Sequence, residues 1–333
     1  MPRRFVCLVL SVAIYFVPCL ARAAEHEAST EITDPAEAAK DPDFLIQGEY
    51  AGDGTWLDGE QTKAGAQVVA LGKGQFDLVV LKGGLPGDGW KRGHAQFALT
   101  GNRQGDATEL GGISGTGKVS GDTMTIAGRN GKAKLQLKRT VRHSPTEGAK
   151  PPAGAIVLFD GTSADNFVKG QINSSKNLMV DTETKQGFGD HALHLEMRMP
   201  YMPEARGQAR GNSGLYLHNC YEMQILDSFG LEGKDNECGG FYQVREPDVN
   251  MCLPPLAWQT YDVEFTAPKY QENKKVANAR VTVKQNGVVI HPDFELPKNT
   301  PGRLEEGPAP RPFWLQQHGN KVEFRNIWVV EKK

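Results

Sequence analysis

Cysteine is scarce in this sequence, and what there is lacks a metal-binding spacing. None of the five cysteines stands in a Cys-x-x-Cys pair, which argues against a zinc ribbon or finger. Long apolar runs are missing too. Beyond the first two dozen residues no stretch approaches the roughly 18 apolar residues of a membrane-spanning helix. Basic clusters are also absent, with 38 Lys and Arg against 40 Asp and Glu. A mildly acidic chain of this kind is a poor nucleic-acid binder. Finally, no segment sustains the 3.6-residue apolar period of an amphipathic helix.

What is present begins with a processing segment. Arg3 and Arg4 precede an apolar run from Phe5 to Leu20, and Ala21-Arg22-Ala23 supplies small residues for cleavage. Residues 1–24 read as a secretory signal peptide, so the mature chain is expected to be periplasmic or extracellular. Cleavage removes three arginines, leaving 35 basic residues (38 − 3) against 40 acidic ones. It also removes Cys7 and Cys19. Of the three remaining cysteines, Cys238 and Cys252 flank a loop-like segment and are expected to form a disulfide, with Cys220 left over.

Glycine (38 residues) and proline (20) punctuate the rest. Residues 25–43 are polar and acidic and read as a flexible leader. From 44 to 141, short strand-like runs, including Phe44-Leu45-Ile46, Ala66–Leu71 and Phe76–Leu81, alternate with Gly-rich breaks. Asn130-Gly131 is a hairpin turn, and the segment reads as a small antiparallel β domain. Residues 142–154 carry Pro145, Pro151 and Pro152 and read as a linker. A second all-β domain runs from 155 to 333, with another hairpin turn at Asn286-Gly287. Its size suits a jelly roll.

Strand alternation sends neighbouring side chains to opposite faces. In Tyr221–Asp227, Tyr221, Met223 and Ile225 share an apolar face, and Glu222 and Gln224 point away from it. Asp227 closes the strand. By the same parity Tyr216 and His218, Gln316 and His318, and Arg325 gather polar groups. On one sheet these would line a groove suited to a hydroxyl-rich ligand. Glu222 and Asp227, with Gln224 between them, form E-x-Q-x-x-D. This lies close to the E-x-D-x-x-E strand motif of laminarinase-type glucanases, with the central carboxylate replaced.

The second domain also resembles the 3-keto-disaccharide hydrolase family, formerly domain of unknown function 1080. The resemblance rests on Leu158-Phe159-Asp160-Gly161-Thr162, Gly211-Asn212-Ser213-Gly214-Leu215-Tyr216-Leu217 and Tyr221–Ser228. It continues through Trp258–Val263, Leu315-Gln316-Gln317-His318-Gly319 and Phe324-Arg325-Asn326-Ile327-Trp328. The N-terminal β domain is similar to one attached to some exported, planctomycete-type members. Two positions depart from the family pattern. His218-Asn219-Cys220 stands where relatives often carry Arg, and Gln316-Gln317-His318 lacks a carboxylate beside the histidine.

The resemblance implies a concanavalin-like jelly roll and an oligosaccharide or glycoside substrate. A ketone at C3 acidifies the C2 hydrogen, so cleavage can run by proton abstraction, elimination and hydration. Glu222 or His318 is expected as base, with Asp227 or the other of that pair as acid. Gln224, Gln316 and Arg325 would hold hydroxyls and the carbonyl, with Asn212, Tyr216, His218 and Tyr242 lining the groove. No cofactor is assigned. A divalent metal in place of Arg325 stays open, although no ligand set is visible. Two other readings remain open: a lectin-like carbohydrate-binding module and a classical retaining glycosidase. The sequence sets no oligomeric state.

Overall fold

The computed structural model describes residues 30–332; the segment read as a signal peptide lies outside them. The architecture is all-β. Eight antiparallel strands between Gly48 and Thr140 form a closed barrel, in which Gly48–Thr55 pairs with both Lys134–Thr140 and Gln61–Gly72. Its alternation is plain in Gln75–Lys82, where Phe76, Leu78 and Val80 point inward and Gln75 and Asp77 outward. Tyr50, Val68, Phe76, Leu99, Ile126 and Leu137 are among the side chains that fill the interior. Closure leaves no unpaired strand edge.

From Ile156 the chain builds a two-layer sandwich. The larger sheet runs Ile156–Phe159, Glu323–Glu331, His191–Arg198, Gln259–Thr266, Ala279–Gln285 and Val288–Leu296, with Leu178–Met179 added on the second of these. The other sheet runs Phe167–Val168, Thr182–Thr184, Trp314–Leu315, Ser213–Leu217 and Tyr221–Ile225. Leu215, Leu217, Met223 and Ile225 meet Leu193, Leu195, Tyr261 and Phe265 in the core between the layers. The two expected Asn-Gly turns are present. Gly131 and Gly287 take the left-handed conformation (φ 72° and 78°) between paired strands.

Two expectations for the first domain need correction. The leader expected to be flexible is ordered over its described part. Asp34 and Asp41 cap short helices at Pro35–Ala38 and Pro42–Ile46, accepting from the backbone N–H of Ala36 and Asp43. Ile32 pairs with Tyr201 of the sandwich, and the Tyr201 hydroxyl donates to Asp41 at 3.0 Å. Phe44-Leu45-Ile46 therefore lies in a helix, not a strand: Asp41-Pro42 starts a helical turn more strongly than three apolar residues start a strand.

The barrel and the sandwich are tied by buried polar bonds. Arg210, on the segment entering the Ser213–Leu217 strand, donates through Nε to Asp227 at 2.6 Å. The same guanidinium reaches the Ala70 carbonyl of the barrel at 3.1 Å. Arg210 and Asp227 are both nearly inaccessible to solvent. Removing one partner of such a pair strands a charge in a dry interface and costs about 3–5 kcal/mol. Asp227→Ala is therefore expected to lose stability on that scale in urea unfolding, and Arg210→Met in the same chain to recover part of it. Unfolding of Asp227→Ala at the wild-type midpoint would remove the pair from the joint.

Candidate active site

The outer face of the smaller sheet carries the polar cluster, and its register sets the geometry. Tyr216 lies opposite Glu222 on one side and Trp314 on the other. One pleat along, Gly214 lies opposite Gln224, and its carbonyl accepts from the Gln316 backbone N–H at 2.9 Å. The result is two rows of three: Trp314, Tyr216 and Glu222, then Gln316, Gly214 and Gln224. Gly214 carries no side chain between the two rows, and Glu222 and Gln316 lean into the space this leaves. A Cβ there would sit 2.7 Å from Glu222 Oε1 and 3.1 Å from Gln316 Oε1.

Glu222 dominates this cluster. It is only 4% exposed, and its Oε2 accepts from the Tyr216 hydroxyl at 2.8 Å. With its amide turned to suit its neighbours, Gln224 donates to Glu222 Oε1 at 3.1 Å and to the Ser213 carbonyl at 3.2 Å. Burial disfavours the carboxylate more than the Tyr216 bond favours it, and the Glu222 pKa rises to about 7. Tyr216 moves the same way. Burial and the neighbouring carboxylate push its pKa well above the usual phenol range, so it stays a donor.

Two loops wall the site. The Glu222 N–H donates to Thr300 Oγ1 at 2.8 Å, and Tyr216 also reaches the Pro301 carbonyl at 3.3 Å. On the other side, the Tyr242 N–H donates to the Glu222 carbonyl at 3.1 Å. Arg303 lies 4.2 Å over the Trp314 ring and donates to Asn219 and Glu183. Its charge is felt at the Tyr216 phenol, whose pKa it draws down against the larger opposing effects. Gln316 Oε1 is buried and has no hydrogen-bond partner within the protein. A buried amide oxygen in that state is suited to a ligand donor or an ordered water.

The structure thus brings Glu222, Gln224, Tyr216, Gln316 and Tyr242 together. Asn212 borders them. Its N–H donates to Asn320 Oδ1 at 2.8 Å and its side chain to the Gln208 carbonyl at 2.7 Å. His318 stands exposed on the loop after Gln316, with no hydrogen bond to Glu222. Thr300, Arg303 and Gln208 were not singled out by sequence reasoning. Thr300 and Arg303 come from loops and Gln208 from a short 3-10 helix at Gly207–Ala209, where strand alternation carries no signal.

Three expected members fall elsewhere. Asp227 is committed to Arg210 at the joint with the barrel and has no hydrogen bond to Glu222. His218 leaves the alternation because the strand ends at Leu217. His218 and Asn219 form a left-handed turn (φ 51° and 55°), and the imidazole packs against Phe265 of the opposite sheet. Burial there pushes its pKa down to about 4, which keeps it neutral. Arg325 belongs to the larger sheet. On the outer surface of that sheet it is held by Glu196 at 2.6 Å and Glu147 at 2.8 Å, 4.0 Å over the Trp258 ring.

The expected disulfide is not formed either. Cys220, Cys238 and Cys252 are buried free thiols. Cys238 and Cys252 lie close enough for each to influence the other's thiol, with burial the larger effect on both. Each also has its own polar neighbours: the Tyr261 hydroxyl at 3.3 Å for Cys238 and the Leu226 carbonyl at 3.5 Å for Cys252. Among the described residues, no group of three or more His, Cys, Asp and Glu side chains is placed to hold a metal ion.

A buried carboxyl among amides and aromatics on the face of a β sandwich suits a hydroxyl-rich ligand, and the family match gives the chain a carbohydrate-related hydrolase role. Residues 154–330 match the model of the 3-keto-alpha-glucoside-1,2-lyase-like domain, and the chain belongs to that family. Among solved structures it is similar to a "putative glycosyl hydrolase" of Parabacteroides distasonis ATCC 8503. That match has 29% identity, a TM-score of 0.50, and coverage of 54% of this chain and 85% of the other. A second protein of the same organism and description matches at 17% identity and a TM-score of 0.40, over 54% and 95% of the two chains. No curated protein matches the chain.

The raised Glu222 pKa gives a signed expectation. Between the ordinary value of 4.5 and about 7, the folded protein holds a proton that the unfolded chain releases. The stability linked to that proton is complete below the lower value and is lost as pH rises through the upper one. Glu222→Gln has no such proton. Its stability relative to wild type should therefore climb across this window and level off above it, read by urea unfolding against pH. A difference independent of pH would show that Glu222 titrates normally.

Proposed function

We propose that the protein cleaves 3-keto glycosides by abstracting the proton on C2 and eliminating the group on C1. The observation that carries this reading is Glu222: a buried carboxyl balanced near neutrality, beside a phenol that keeps its proton. A carboxylate with its pKa near the working pH is well matched to a carbon acid already activated by a ketone.

In the proposed step Glu222 takes the C2 proton, and the C–H electrons form the enolate of the C3 ketone. The enolate re-forms the ketone, the electrons move into a C1–C2 double bond, and the C1–O bond breaks. The leaving oxygen takes a proton from the now neutral Glu222 or from water. Water then adds at C1 and a proton returns to C2, giving the 3-keto sugar. Tyr216 orients Glu222 and stays protonated throughout. Gln224 would steady the Glu222 carboxyl, Gln316 would offer its unpaired amide oxygen to a substrate hydroxyl, and Arg303 would add positive charge on this face of the sheet.

A classical double displacement needs two carboxyl groups about 5–5.5 Å apart at the scissile bond. Glu222 has no such partner in Asp227, which is bonded to Arg210. A binding module gains nothing from a carboxyl held near neutrality, and desolvating one is costly.

The test compares a 3-keto glucoside with its unoxidised parent. The wild type is expected to cleave the keto form alone, with kcat/KM rising with pH through about 7. Glu222→Gln should lose roughly a hundred- to ten-thousandfold in kcat while keeping much of the binding. Cleavage of the parent, or an active Glu222→Gln, would overturn the reading. Gly214→Ala places a methyl against the Glu222 carboxylate and displaces it. It should lower kcat/KM by roughly a hundredfold with little change in unfolding midpoint, and an unaffected rate would move the substrate elsewhere.

A further inference from the structure

The group that the proposed reaction needs is almost sealed, since Glu222 is only 4% exposed. A base must come within hydrogen-bond reach of the proton it takes, so part of the cover has to move. The two walls differ in how firmly they are held. The Tyr242 wall is built onto the sheet. Phe241 pairs with Met223, the Gln224 N–H donates to the Gly240 carbonyl at 2.8 Å, and the Gly239 N–H donates to the Gln224 carbonyl at 3.0 Å. The opposite wall, residues 301–305, is exposed along its whole length, including Leu304. It hangs between two fixed points. Thr300 is fully buried, with its N–H donating to the Cys220 carbonyl at 2.9 Å and its Oγ1 accepting from the Glu222 N–H at 2.8 Å. Glu306 accepts from the Tyr221 hydroxyl and from Lys275, each at 2.6 Å.

Between these points the segment rests directly on the site. The Pro301 carbonyl accepts from the Tyr216 hydroxyl at 3.3 Å, and a Cβ at Gly302 would lie 2.9 Å from the same oxygen. Gly302 is also left-handed (φ 96°), so approach and backbone both call for glycine. That hydroxyl is in turn 2.8 Å from Glu222 Oε2. One side chain supplies the main anchorage. Arg303 covers the Trp314 ring, donating through Nε to Asn219 at 2.6 Å and through Nη2 to Glu183 at 2.7 Å. Arg303 and Glu183 are each about a third exposed, and a pair so open to water holds weakly. Exposed polar bonds with little buried apolar surface mark a segment that opens at low cost. We propose that residues 301–305 form a flap that swings off the Tyr216–Glu222 pair to admit substrate, with Arg303 as its latch. The same movement frees the face of Trp314 that Arg303 covers. The proposal rests on the preceding reading only in taking Glu222 as the group a substrate must reach.

The experiment reads opening without turnover. Trypsin can cut after Arg303 only once the guanidinium leaves Trp314, Asn219 and Glu183. A water-soluble carbodiimide with an amine labels Glu222 only when its carboxyl is reached. Both rates are followed by peptide mass on the full chain, with cleavage at Lys234 and labelling of Glu272, both exposed, as references. Glu183→Ala removes the carboxylate that holds the latch and leaves Arg303 in place. It should raise cleavage after Arg303 and labelling of Glu222 together, roughly two- to fivefold each, with the references and the urea midpoint unchanged. Arg303→Lys keeps a tryptic site and the charge but not the planar fork that spans both partners, and it should move both rates in the same direction. Glu222 labelled as fast as Glu272 in the wild type would show that nothing covers it and overturn the proposal. Faster cleavage with Glu222 labelling unchanged, or neither rate altered by Glu183→Ala, would do the same. Turnover decides a separate question: labelling as expected in a protein that cleaves no 3-keto glucoside would overturn the elimination reading and leave the flap standing.

Discussion

The chemistry of this protein depends on one constraint: a carboxyl group is kept out of water with a single strong donor. Burying an unpaired carboxylate is unfavourable, and one phenol hydrogen bond offsets only part of that cost. Each neighbour of Glu222 can be understood from this. Tyr216 supplies the donor, Gln224 adds a weaker one, and Thr300 and Tyr242 bond the backbone on either side of the side chain. None of them is a full positive charge, which would hold Glu222 ionised at every working pH. The nearby cation, Arg303, is instead bonded to Glu183 and stacked on Trp314. The site thus holds its carboxyl between two protonation states.

Much of the fold was legible in the sequence because period-two patterns report faces reliably. Phe76–Leu81, the two Asn-Gly turns and the apolar face of Tyr221–Ile225 all lie where alternation put them. The barrel's closure was not legible. Strands such as Ala107–Gly111 and Gly115–Ser120 are rich in Gly and Thr and show no apolar run. Nor was the ordered segment before Gly48, whose polar composition hides two capped helical turns docked on Tyr201.

For the candidate site, parity put Glu222, Gln224, Tyr216 and Gln316 on one face, where the strand register also has them, and it misplaced residues that lie outside a strand or on another sheet. His218 sits one residue past its strand, and a left-handed turn reverses its direction. Arg325 alternates properly but on the opposite layer, an assignment that only strand order provides. Asp227 has the right spacing from Glu222. Its partner Arg210 precedes the neighbouring strand, and nothing local in the sequence links the two. Gly214 appeared as one residue of a motif. Its importance, as the position that leaves room for the Glu222 and Gln316 side chains, emerges from the six-residue grid around it.

The Arg210–Asp227 joint has a consequence for how this two-domain arrangement can change over generations. Arg210 sits in the sandwich but directs part of its hydrogen bonding to a barrel carbonyl. Were the barrel deleted from the gene, that guanidinium would face solvent and Asp227 would lose its dry enclosure. A single-domain descendant has no reason to keep this ion pair, and one that acquires a barrel gains from evolving it. Positions 210 and 227 should therefore vary together with the presence of the N-terminal domain. The pair would then serve as an internal marker of whether a given sandwich evolved beside a barrel.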